Sequence, residues 1–223
     1  MQRRIVGTSL AAALLSAVVF TGTASAEVKA LRLQVGGTAL TVGAPLVATS
    51  TDTTIANAFW SLACSEGELT GTVGQNNKEK DDFIPITEGR FLGGGSEGLC
   101  ESTFNFVTAY LPLPESPSEL ILERKGRVQW RFPRFRMTPL EDINNPPGHK
   151  EACVAASNIV KGTFPVTSTP QPLTLTFTNV KMHLEADHGH ECSGKKGHNP
   201  YMSATYTFTS RGQPVEAVIF EHN

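Results

Sequence analysis

Long apolar runs are scarce in this 223-residue chain: one occupies residues 5–20, and nothing comparable follows. A helix that crosses a bilayer needs about 20 consecutive apolar residues, so no segment after residue 26 is expected to do so. No stretch of about 12 residues carries a clean helical stripe either. Charge of one sign is not concentrated in a tail, and 19 Lys and Arg nearly balance 21 Asp and Glu. That excludes the strongly basic surface of a general nucleic-acid binder. Cysteine is limited to four residues, none in C-x-x-C spacing, which argues against a dithiol redox motif or a zinc ribbon. A P-loop, a dinucleotide fingerprint and H-E-x-x-H are all missing. One formal match to G-x-S-x-G surrounds Ser96, but glycines precede it and Leu99-Cys100 leads onward into a strand. A nucleophile elbow needs a strand before the serine and a helix after it, so 93–98 reads as a glycine-rich loop that places Cys100.

The single apolar run is informative. Arg3 and Arg4 precede it and Ala24-Ser25-Ala26 closes it, the three-part pattern of a secretory signal. Residues 1–26 are therefore expected to be a cleaved signal helix, and 27–223 an exported domain, secreted or held at the cell envelope. Glu27, not a cysteine, stands directly after the cleavage site, so a lipid anchor is not expected. The leader holds two of the basic residues and no acidic one, so the remainder is more negative than the chain's −2. Export also favours two disulfides among Cys64, Cys100, Cys153 and Cys192. Of the three pairings, Cys64–Cys100 with Cys153–Cys192 is preferred because each bond then staples one half of the chain. Each is worth about 4 kcal/mol in the chain-entropy model.

Period-two alternation dominates what remains. Leu173, Leu175 and Phe177 alternate with threonines, as do Met202, Ala204, Tyr206 and Phe208. Val128, Trp130 and Phe132 alternate with Arg127, Gln129 and Arg131. Successive strand side chains point to opposite faces, so each run has a core face and a wet face. Further strands are expected at 30–35, 39–42, 46–50, 58–64, 68–73, 120–124, 159–164 and 215–220. Gly36-Gly37, Lys125-Gly126 and Arg211-Gly212 read as hairpin turns. The fold class is all-β: an antiparallel β-sandwich, or two stacked β subdomains of 27–143 and 149–223 joined across Asn144-Asn145-Pro146-Pro147-Gly148. A faint internal echo links Leu69-Thr70-Gly71-Thr72-Val73 after Cys64 with Lys161-Gly162-Thr163-Phe164 after Cys153. These segments, with Gly93-Gly94-Gly95 and Gly98-Leu99-Cys100 and the final Ala204-Thr205-Tyr206-Thr207, resemble a group of secreted, β-rich, two-disulfide proteins of high-GC Gram-positive bacteria. The resemblance implies an exported β-rich protein and carries over no active site.

Two constellations carry chemistry. His183, His188, His190 and His198 crowd one stretch together with Glu185, Asp187 and Glu191. Imidazoles beside carboxylates are the ingredients of a Zn or Cu site. The simpler reading is a solvated loop, since Gly189, Gly194 and Gly197 loosen it and an oxidised Cys192 is no ligand. The second is the basic-aromatic run 124–136. Arg127, Trp130 and Arg131 could hold a cell-wall glycan or another anionic polymer by ring stacking and forked hydrogen bonds. The simpler reading puts Trp130 and Phe132 in the core and the arginines in water. The functional expectation is a non-enzymatic extracellular ligand-binding or envelope-associated β domain. A structural envelope protein without a small ligand and an extracellular hydrolase are the alternatives.

Overall fold

The computed structural model describes residues 28–58, 60–76, 81–93, 100–102, 106–110, 118–139, 152–187 and 199–222. The leader expected at 1–26 and the linker expected at 144–148 lie outside them. No helix occurs among the described residues, and the sheets are antiparallel. The first strands are β1 (Val28–Val35), β2 (Thr38–Ala39), β3 (Pro45–Ser50), β4 (Thr53–Ala56), β5 (Ser61–Cys64), β6 (Glu66–Thr72) and β7 (Asp82–Leu92). Next come β8 (Glu101–Ser102), β9 (Phe106–Tyr110), β10 (Ser118–Glu123), β11 (Arg127–Arg131), β12 (Arg134–Pro139) and β13 (Ala152–Ala156). The last are β14 (Ile159–Thr163), β15 (Gln171–Pro172), β16 (Thr174–Lys181), β17 (His183–Asp187), β18 (Tyr201–Ser210), β19 (Gln213–Pro214) and β20 (Glu216–His222).

The all-β, antiparallel class stands, but the sandwich is corrected to a closed barrel. From β7 the pairings run to β10, β11, β14, β16, β18, β3 and β6, and β6 returns to β7. The closing contact sets Thr207 opposite Thr49, Phe208 opposite Ala48 and Thr209 opposite Val47. It joins one of the last strands to one of the first. Period-two patterning fixes which face a residue occupies and says nothing of a partner so far along the chain. The ring takes β3, β6, β7, β10 and β11 from 27–143 and β14, β16 and β18 from 149–223, so both stretches build one barrel.

Several ring strands turn a corner and continue beyond the ring. β11 passes into β12 through Phe132 and Pro133, and β13 passes into β14 through Ser157 and Asn158. The two corners face each other: the Phe132 N–H donates to the Asn158 carbonyl at 2.9 Å, and the Ser157 N–H donates to the Pro133 carbonyl at 3.1 Å. The continuations form a wing, β9-β12-β13-β17, attached to the second half of β7. A shorter wing, β4-β5-β8, hangs on the first half of β18. A separate sheet, β15-β20-β1-β2, contains the first and last described strands. Its hairpin turn Gly36-Gly37 and the turn Arg211-Gly212 have both central residues at positive φ, the geometry whose twist matches the flanking strands.

The barrel is filled. Leu120, Leu122, Val128, Trp130, Leu175, Phe177, Tyr206 and Phe208 point inward and are all but inaccessible. Trp130 lies 5.6 Å from Phe135, 5.6 Å from Phe177 and 5.8 Å from Tyr206, and Phe91 meets Phe135 at 5.3 Å. An eight-stranded ring is just wide enough for side chains to occupy its interior. The outer face is threonine and charge: Thr174 pairs Thr207, Thr176 pairs Thr205 and Thr163 pairs Thr176. This apolar-in, polar-out pattern is the reverse of a lipid-embedded barrel.

Both glycines of the internal echo are required by close backbone approach. A Cβ at Gly71 would sit 2.3 Å from the Pro85 carbonyl oxygen, and one at Gly162 would sit 2.4 Å from that of Thr176. The Gly-Thr motif therefore marks two places where strands crowd, which suits Gly alone.

Candidate functional site

Of the expected disulfides, Cys64–Cys100 is formed, and both residues are buried. It ties the end of β5 to the residue before β8. Cys153 lies on β13 opposite Ala186, and Cys192 is outside the described residues, as is Ser96. His183 opens β17 and is exposed. The stretch read as a loop is thus strand as far as Asp187, because it pairs with β13 along five residues. His188, His190 and His198 lie outside the described residues. Among the described residues no group of three or more His, Cys, Asp or Glu is placed to hold a metal ion.

The basic-aromatic run divides between two faces. Trp130 points into the barrel with no exposed surface, and its indole N–H donates to the Ser118 hydroxyl at 2.7 Å. Arg127 and Arg131 point outward. The three residues do not form one surface, and the Trp130 ring is closed to an external ligand.

The outer face of β10, β11 and β14 is built in rows set by register. Glu123 faces Arg127, which faces Thr163; Ile121 faces Gln129, which faces Lys161; Glu119 faces Arg131, which faces Ile159. The Arg127 Nε donates to Glu123 Oε2 at 2.7 Å and its Nη2 lies 2.5 Å from the same oxygen. Gln129 donates to Glu123 Oε1 at 2.6 Å. Arg131 is held more loosely, at 3.7 Å from Glu119. Lys161 makes no ion pair among the described residues, and Lys125 is exposed at the turn between β10 and β11. Three strand cations, Arg127, Arg131 and Lys161, therefore share this surface with two carboxylates, and Lys125 lies at its turn. Exposed pairs of this kind contribute at most about 1 kcal/mol each, and a guanidinium carries five N–H donors, more than Glu123 engages on Arg127 through Nε and Nη2.

The hydrogen bond from Gln129, with the Arg127 guanidinium beside it, holds the Glu123 carboxyl below the usual carboxylate range. A depressed carboxyl contributes stability above its unfolded pKa of about 4.3 and loses it as pH falls through the folded value. Glu123→Gln should therefore be less stable than wild type near neutrality, and the gap should narrow as pH falls below the ordinary carboxylate range. Denaturant unfolding at a series of pH values measures this, and a pH-independent gap would refute it.

Two concavities among the described residues lie away from this face. One, of about 210 Å³, lies beside the disulfide and is lined by Thr51, Asp52, Thr54, Ser65 and Glu101. Its Asp52 is already engaged: Oδ1 accepts from the Ser50 hydroxyl and the Thr205 amide, both at 3.0 Å, which pins the corner between β3 and β4 to β18. The other, of about 330 Å³, runs between β2 and the β18–β19 turn against Val35, Leu40 and Ala44. Comparison with known proteins adds no assignment. No protein-family model, no curated protein and no solved structure matches the chain.

Sequence reasoning missed three residues of this face: Ile159 and Lys161 on β14, which lie outside the 124–136 run, and Phe132. Phe132, assigned to the core by parity, is 39 % exposed. The signal was present in the spacing. Trp130, Phe135 and Met137 are inward, so the interval across the corner breaks the period of two.

Proposed function

We propose that this chain is an exported, non-enzymatic binding protein that holds an anionic polymer of the cell envelope on the outer face of β10, β11 and β14. The observation that carries the reading is charge. Arg127, Arg131 and Lys161 outnumber Glu119 and Glu123 there, with Lys125 at the adjoining turn, on a chain whose net charge is −2. A locally positive face on a net-negative protein attracts anions where it matters and repels them elsewhere. The filled barrel leaves recognition to the outside. The buried Cys64–Cys100 bond suits an oxidising compartment, and the signal pattern at 1–26 supplies the route.

Pulldown on purified cell walls tests it. Arg127→Ala/Arg131→Ala/Lys161→Ala should weaken binding by about tenfold, the sum of three modest exposed contacts. Wild-type binding should fall as salt rises. Binding unchanged in the triple variant would overturn the site.

A further inference from the structure

Phe132 is the exposed aromatic of the basic face. Its φ is 52°, in the left-handed region that bulky side chains rarely enter. The hydrogen bonds of the facing corners hold it there: its own N–H reaches Asn158, and Ser157 reaches Pro133. Parity shifts at this point, so Pro133, Phe135 and Met137 turn inward and Phe132 turns out. The residue after its hydrogen-bond partner Asn158 is Ile159, 45 % exposed and directly opposite Arg131. Lys161 follows two residues along β14, on the same outward face. One corner thus combines an aromatic ring, an aliphatic side chain and two cations. Backbone strain retained by an over-determined local structure, with its side chain left in water, is a pointer to function.

Resting on the anionic-polymer reading, we infer that the ligand is an acidic polysaccharide, with a sugar ring lying on Phe132 and Ile159 while its acid groups meet Arg131 and Lys161. A sugar ring presents an apolar C–H face that packs on an aromatic ring, and a carboxylate or phosphate on the same chain supplies the charge. A flat anionic bilayer would use similar chemistry, but docking it here would press Glu119 and Glu123 against like charge. A narrow chain avoids both by following β14, whose Ile159, Lys161 and Thr163 include no carboxylate.

The test uses four probes with the mature protein: polygalacturonate, sodium polyphosphate, neutral dextran and phosphatidylglycerol vesicles. Polygalacturonate should bind most tightly. Phe132→Asn, whose short polar side chain tolerates left-handed backbone, should weaken polygalacturonate about fivefold and leave polyphosphate unchanged. Phe132→Trp should retain polygalacturonate binding. Melting temperatures of both variants establish that they are folded. Equal effects of Phe132→Asn on both polymers, no effect on polygalacturonate, or a preference for vesicles would overturn the inference. Arg131→Ala/Lys161→Ala should weaken both polymers; if it weakens neither, it is the underlying anionic-polymer reading that fails.

Discussion

Trp130→Ala should destabilise the protein by about 4 kcal/mol, near the upper end for a buried aromatic. The indole is wholly inaccessible and touches Phe135, Phe177 and Tyr206 in edge-on or tilted contacts. Its removal opens a void that a closed ring of strands cannot readily collapse. It also strips the Ser118 hydroxyl of a donor, leaving that side chain to donate to the Arg131 carbonyl at 3.3 Å. Trp130→Phe separates the two effects. It keeps most of the packing and loses the hydrogen bond, so it should cost about 1–2 kcal/mol. Urea unfolding followed by circular dichroism measures both. A loss below about 1 kcal/mol for the alanine variant would mean that the indole is not a core residue.

Cys64→Ser/Cys100→Ser should cost about as much. The bond closes a loop with a sequence separation of 36, for which the chain-entropy model predicts about 4 kcal/mol. Two further features make the loss local as well as global. Both sulfurs are buried, so serine hydroxyls would enter an apolar site. Among the described residues β8 pairs with β5 alone, through two residue pairs, so the bond is a principal tether there. The double variant should show a lower denaturant midpoint, and amides of Ser61–Cys64 should exchange faster than those of the ring strands. Wild-type stability in the variant would show that the wing holds without its staple.

The fold class was legible where period-two alternation is clean. β16 and β18 are threonine outside and apolar inside, as their sequences require. The hairpin turns were legible because only Gly, with one Arg partner, meets their φ values. β7, the longest strand among the described residues, was hidden by Pro85 and Gly89 within it, residues that normally interrupt strands. Pro85 is tolerated beside a register shift, where β6 passes from Thr70 opposite Glu88 to Gly71 opposite Ile86 and Thr87 is the extra residue. Ring closure was not legible, because β18 meets β3 through contacts that no local pattern encodes. The candidate site was half legible. The run of cations stands out in the sequence, but the aromatic that accompanies it is Phe132 and not Trp130, since one residue at positive φ exchanges which parity faces the core.

Amide chemical-shift mapping of this 24.0 kDa chain locates the bound polymer on the barrel. Titration with polygalacturonate should move amides of Arg127–Arg131, Phe132 and Ile159–Thr163. It should leave those lining the cleft at Asp52 and the groove at Leu40 in place. Shifts confined to the cleft or the groove, with β11 and β14 silent, would contradict the account.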